Sequence, residues 1–121
     1  MKDIGISGAE FEVMKVVWRK SPVTSDDIID GLSAENEWSP KTVRTLIARL
    51  VKKQALKFKP SGRVYLYEPL VSREECAEME GETFLHRMFD GALMPMLAHF
   101  VQSRKLTVNE KKQLQELLTK E

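Results

Sequence analysis

Residues 38–53 read Trp-Ser-Pro-Lys-Thr-Val-Arg-Thr-Leu-Ile-Ala-Arg-Leu-Val-Lys-Lys, and the reading of this stretch decides the fold. Ser39 is a natural N-cap, and Pro40 suits the first helical position, where its missing N–H removes no helical bond. A helix is therefore expected over residues 40 to 54. Val43, Leu46, Ile47 and Leu50 stand at i, i+3, i+4 and i+7, the narrow stripe of a helix packed on one side only. The opposite side carries Lys41, Arg44, Thr45, Ala48 and Lys52, flanked by Thr42 and Arg49, with no carboxylate among them. Ordinary surface helices mix signs through Glu and Lys pairs four residues apart, and such pairs are missing here. Phosphates repel carboxylates and reward Lys and Arg through counterion release, while Lys and Thr near a helix start can reach base edges. This face therefore suits the major groove of duplex DNA.

Downstream, Ala55 to Pro60 and Arg63 to Pro69 read as two short strands around a tight turn at Ser61-Gly62, with Val64 and Leu66 alternating against Tyr65 and Tyr67. From Lys41 to Arg63 the chain carries eight basic residues and no acidic one. A basic hairpin directly after such a helix is what a winged helix-turn-helix lays along the phosphate backbone.

Upstream and beyond, helix starts are marked by four capping boxes: Ser7 with Glu10, Thr24 with Asp27, Ser72 with Glu75, and Thr107 with Glu110. The first opens a helix whose Phe11, Met14, Val17 and Trp18 share one face, ended by Ser21-Pro22. The second opens a short helix of about two turns, with Ile28, Ile29 and Leu32 inward, ended by Gly31 and the polar stretch Ser33 to Glu37. Past Pro69 the character changes to Met-rich amphipathic helix. Helices are expected over residues 72 to 89, around Leu93, Leu97 and Phe100 after a break at Asp90-Gly91, and from 108 to 119. The expected fold is mainly α with a small β-hairpin wing: a winged helix-turn-helix domain over residues 1–70, then a helical domain over 71–121.

Charge follows the same division. Residues 1–70 carry 12 basic and 9 acidic side chains, and residues 71–121 carry 7 and 9. The second half holds much apolar surface for three short helices, including Phe84, Leu85, Met88, Leu93, Leu97, Phe100, Leu114 and Leu117. An element that small seldom buries enough by itself, so these residues are expected to meet a second copy in a homodimer rather than fold back on the wing as a monomer. A two-fold dimer would present two copies of the third helix to a palindromic site.

With 121 residues, 42% hydrophobic and 31% charged, the chain has the apolar content for a packed core and is too short for a large multidomain enzyme. Its single cysteine, Cys76, cannot form an intramolecular disulfide, and the opening MKDIGISGAE lacks the apolar segment of a secretory signal. No apolar stretch approaches the ~20 residues of a membrane-spanning helix, so a cytoplasmic setting is expected. His86, His99 and Cys76 have no metal-ligand spacing, and no metal or cofactor is expected. There is no Gly-rich phosphate loop and no nucleophile with a base at recognisable spacing. Glu74, Glu75, Glu78 and Glu82 read as an exposed helix face rather than as a catalytic set. A non-enzymatic protein is expected.

Ile6-Ser7, Ala9-Glu10, Glu12-Val13-Met14, Trp38 to Val43, Thr45-Leu46, Arg49-Leu50, Lys52-Lys53, Gly62-Arg63, Tyr65, Tyr67 and Pro69-Leu70-Val71 together make the chain resemble the BlaI/MecI (penicillinase repressor) family from Ile6 to Leu118. The resemblance implies a transcriptional repressor with an N-terminal winged helix and a C-terminal dimerisation domain, bound to inverted repeats with TACA/TGTA cores. It implies base contacts from Lys41, Thr42 and Thr45 and phosphate contacts from Arg49 and the wing residue Arg63, on the face that Arg44 and Lys52 complete. It further implies relief of repression when a membrane sensor protease system, activated by a β-lactam, leads to cleavage within the C-terminal helices. The aligned bond is His99-Phe100, with His where the family commonly has Asn. Copper-responsive relatives carry a C-terminal Cys-x-Cys pair twice, which one cysteine cannot supply.

Two further departures stand out: Phe11 replaces the usual Trp, and Gln54 replaces the Gly after Lys-Lys, so the third helix should have a weaker or differently shaped C-terminal cap. The alternative from a different functional class is a winged helix that binds proteins without reading DNA. It has no need of the acid-free run from Lys41 to Arg63.

Overall fold

Each of the four boxes closes in the computed structural model, which describes residues 5–120. The lack of an apolar leader is a reading that falls partly on residues 1–4, outside that range. Ser7 Oγ accepts from the Glu10 amide while the Glu10 carboxylate accepts from the Ser7 amide, starting α1 (Gly8–Arg19). Thr24 and Asp27 do the same for α2 (Ser25–Asn36). Ser39 caps α3 (Pro40–Lys52) by accepting from the Thr42 amide, with proline in the first turn. The hairpin follows as β1 (Leu56–Ser61) and β2 (Val64–Pro69). Ser72 with Glu75 opens α4 (Arg73–Phe89), then come α5 (Leu93–Arg104) and α6 (Val108–Thr119), the last started by the Thr107–Glu110 box.

The mainly α architecture with one hairpin is the expected one, but α2 is longer than its sequence suggests. Gly31 does not end it; the helix runs on to Asn36 and stops at Glu37, whose φ of 55° breaks the pattern. A Cβ at Gly31 would come within 3.3 Å of Val16 Cγ1 on α1, so the glycine permits a close approach of two helices, which outweighs its poor helix propensity.

Val13, Met14 and Val17 of α1, Ile28 and Leu32 of α2, and Val43, Leu46, Ile47 and Leu50 of α3 meet in one core, joined by Leu56 of β1. The hairpin pairs antiparallel from Leu56↔Pro69 to Ser61↔Val64, which leaves Gly62 and Arg63 as a two-residue turn. Gly62 takes φ 63° at the first turn position, the conformation a twisted hairpin favours there. β2 also exchanges two backbone bonds with Val23, in the segment between α1 and α2: the Val23 amide donates to Tyr67 O at 3.1 Å and the Tyr67 amide to Val23 O at 2.7 Å. The hairpin is thus tied into the three-helix core instead of projecting from α3 alone.

Two compact units divide the chain at Gly81/Glu82, inside α4. The first takes in Cys76 and Met79, both buried. Trp18 Nε1 donates to Val71 O at 2.9 Å, and the Ile6 amide donates to Glu80 Oε1 at 3.1 Å, so the opening turns of α4 belong to the winged-helix core. Burial, with the nearby Glu80 carboxylate, pushes the Cys76 thiol above its ordinary pKa, as suits a packing residue. In the second unit none of the described residues is buried. Phe84, Phe89, His99 and Phe100 form a ring cluster, and Met88, Leu93, Met94, Val108, Leu117 and Leu118 lie exposed. Among the described residues no helix is long and apolar enough to cross a membrane.

Candidate nucleic-acid interface

α3 is held by its apolar stripe, so its orientation follows from packing: Val43, Leu46, Ile47 and Leu50 point into the core. Lys41, Thr42, Arg44, Thr45, Arg49 and Lys52 are consequently all exposed. The amino end of α3 adds the positive end of the helix dipole beside Lys41 and Thr42. Thr45 Oγ1 donates to Lys41 O at 3.0 Å, which fixes its rotamer. The Ser39 and Thr42 hydroxyls share a hydrogen bond of 3.0 Å, so Thr42 is similarly fixed.

The wing supplies a second basic element. Arg63 sits exposed in the turn, and Lys57 and Lys59 are exposed on β1, Lys57 lying 3.9 Å from Glu68 on the paired strand. Between α3 and the hairpin runs a groove of about 320 Å³ lined by Ser25, Arg44, Ile47, Ala48, Val51, Phe58 and Tyr67. Phe58 packs edge-on against Tyr65, with ring centres 4.9 Å apart. Burial, with Tyr65 adding to it, raises the Tyr67 phenol above its ordinary pKa.

Not every cation of the acid-free run is available to a ligand. Lys53 turns away from the face: its ammonium donates to the Gly5 carbonyl at 2.9 Å and to the buried Glu10 carboxylate. Arg44 is also not alone, because Asp26 at the start of α2 lies 3.8 Å from it. Neither pair is legible from spacing, since Glu10 already has a role as a capping residue and Asp26 reads as a first-turn acid. Gln54, with φ 65°, takes the left-handed position that the sequence marks as a departure from glycine. Its amide donates to Val51 O at 3.0 Å and the Ala55 amide to Leu50 O at 2.9 Å, so the cap keeps the full Schellman bond pattern and is not reshaped.

Among the described residues, no group of three or more His, Cys, Asp or Glu could hold a metal ion. The eight residues expected at a dimer interface all lie in the second unit; Met88, Leu93, Phe100 and Leu117 are exposed and Phe84, Leu85, Leu97 and Leu114 half-buried. His99 and Phe100 lie within α5 and are exposed.

The sequence model of the penicillinase repressor family matches residues 6–120, nearly the whole chain. The chain belongs to the penicillinase repressor family. Membership makes it a DNA-binding transcriptional repressor. The penicillinase repressor of Bacillus licheniformis is 38% identical over 113 residues, spanning 93% of this chain and 88% of that protein. The methicillin resistance regulatory protein MecI of Staphylococcus aureus is 32% identical over 119 residues, spanning 98% and 97%. Among solved structures, the monomeric form of Bacillus licheniformis BlaI in complex with the blaP half-operator aligns at 43% identity with a TM-score of 0.55, over 61% of this chain and 90% of that one.

Proposed function

We propose that this family member binds inverted-repeat operators as a homodimer, with Lys41, Thr42 and Thr45 reading base edges in the major groove and Arg44, Arg49, Lys52 and Arg63 supplying positive charge toward the phosphates. The observation that carries the reading is the outward face of α3: it is exposed throughout, has no carboxylate of its own, and lies beside a basic wing. A relative solved in complex with a half-operator supports operator DNA as the ligand.

Dimerisation falls to the second unit. A set of helices with no buried residue among those described, and with Phe100, Leu93 and Leu117 open to solvent, has its natural complement in another copy. Repression is relieved by cleavage at His99-Phe100 under a membrane sensor protease system, in the manner of antibiotic-resistance regulators. Proteolysis needs extended backbone, and α5 starts at Ala92 without a side-chain cap to hold its first turn. The protein acts in the cytoplasm, on DNA, without catalysis or cofactor.

A gel-shift titration of the full chain against its own upstream DNA and a scrambled duplex, at two salt concentrations, tests the reading. Selective, salt-sensitive shifts with a dimer in sedimentation are expected. Absence of binding to any duplex would favour the protein-interaction alternative. A monomer that binds with full affinity would remove the dimer. Induced cells that contain no fragment ending at His99 would remove the cleavage step.

A further inference from the structure

Phe11, which stands where the family usually has tryptophan, lies on α1 with two cations over its ring. Lys15 Nζ is 5.8 Å and the Arg73 guanidinium 5.7 Å from the ring centre, and Trp18 packs edge-on against it with centres 5.5 Å apart. Beside this group is a pocket of about 520 Å³ lined by Glu12, Lys15, Trp18 and Arg19 of α1, Leu32 of α2 and Arg73 of α4. These described lining residues all belong to the first unit, and none of them comes from α3 or the hairpin.

The charges of the pocket do not cancel. Lys15 Nζ is 2.9 Å from the Glu12 carboxylate, so that pair is locally neutral. Arg19 and Arg73 are exposed, and among the described residues neither has a carboxylate within ion-pair distance. Arg73 stands in the first turn of α4, where a cation opposes the helix dipole, so the stability of that helix does not account for it. The indole N–H of Trp18 is already spent on Val71 O, which leaves its ring as apolar surface. Two unneutralised guanidiniums from separate elements thus border one concavity that also holds an indole and a leucine.

We propose that this pocket binds a small organic dianion, two carboxylates on a compact apolar body, with Arg19 and Arg73 each pairing one carboxylate and the body packing on Trp18 and Leu32. Charge selects the class, because three cations and one carboxylate leave the lining with two positive charges in excess. The planar fork of arginine matches a carboxylate through two parallel hydrogen bonds. The volume lies within the span of small-molecule sites, roughly 300–1,000 Å³. A bound dianion bridges α1 to the first turn of α4 and gives the protein a small-molecule input through residues that the DNA-reading face does not use. The inference stands independently of how the chain reads DNA.

The test adds isophthalate and glutarate as dianionic probes, and benzoate as a monoanion, to the ¹⁵N-labelled full-length chain at constant ionic strength. The indole N–H resonances of Trp18 and Trp38 are told apart with Trp38→Phe. At least one dicarboxylate is expected to shift the Trp18 resonance saturably, with benzoate about fivefold weaker or more because it pairs a single guanidinium. Arg19→Gln and Arg73→Gln should each weaken that dicarboxylate several-fold, whereas Arg63→Gln on the wing should leave it unchanged. No saturable shift with either dicarboxylate, benzoate binding as tightly, or undiminished binding to both Arg19→Gln and Arg73→Gln would each overturn the proposal. Equal weakening by Arg63→Gln would overturn it as well, by showing diffuse attraction to the cations of the whole surface. Saturable binding of tetraglutamate without binding of either dicarboxylate would replace the small dianion with an acidic segment of a protein partner.

Discussion

Glu10 is a carboxylate with 1% of its surface exposed, and its environment explains how a charge is tolerated there. Burial pushes its pKa up, but hydrogen bonds from Lys53 and from the Ser7 amide, with the Lys53 charge, outweigh that effect and hold it below the ordinary glutamate value. A carboxyl lowered in the folded state contributes stability that is present above its unfolded pKa of about 4.3 and is lost as pH falls through the folded value. Lys53→Met removes the partner, leaves burial dominant, and raises the Glu10 pKa. Urea titrations from pH 7 down to pH 3 should show a loss of about 1–3 kcal/mol at neutral pH that narrows as the pH falls, because protonating Glu10 then relieves a buried unpaired charge instead of breaking an ion pair. An unchanged acid limb would mean that the pair contributes nothing. The capping box was readable in the sequence because both partners are local. The Lys53 contact was not, because groups 43 positions apart in the chain are brought together only by packing of α3 on α1.

Helix ends in this protein were mostly written in local chemistry, and the two that differ show what overrides it. Gly31 lies mid-helix because α1 passes close beneath it, a matter of tertiary distance. Gln54 takes the left-handed conformation at the end of α3 because Ala55 and Leu50, both fully buried, fix where the chain must turn into β1. The strain of a side chain with a Cβ at φ 65° is therefore borne within an intact Schellman cap. Gln54→Gly should stabilise the first unit by about 0.5–1 kcal/mol, the relief of strain being partly offset by the greater freedom of glycine in the unfolded chain. Thermal denaturation of the two proteins measures it, and a lower melting temperature for the glycine variant would show that Gln54 makes a compensating contact. DNA affinity should be unaffected, since the cap geometry already matches what glycine would adopt.

The change of character near residue 70 marks where the wing ends, yet the contact boundary falls at Gly81/Glu82 because α4 lends its first turns to the winged-helix core. Cys76 and Met79 are buried there, and Ile6 and Trp18 are tied to Glu80 and Val71. A fragment of residues 1–81 should accordingly be more stable than one of residues 1–70 by roughly 3 kcal/mol, the order expected for burying two apolar side chains. Equal urea midpoints for the two fragments would return the structural boundary to the end of the wing. From the sequence alone came the order of helices and hairpin, the four capping boxes, the outward polar face of α3 and the family, because caps, periodicity and turn residues act over a few positions of chain. Only the tertiary structure decided that Lys53 is withdrawn from the reading face, that Asp26 is set against Arg44, that Val23 extends the hairpin and that α4 is shared between two units. Each of these joins residues distant in sequence through packing of the core. No local pattern encodes that packing, because its energy depends on shape and burial summed over the whole unit.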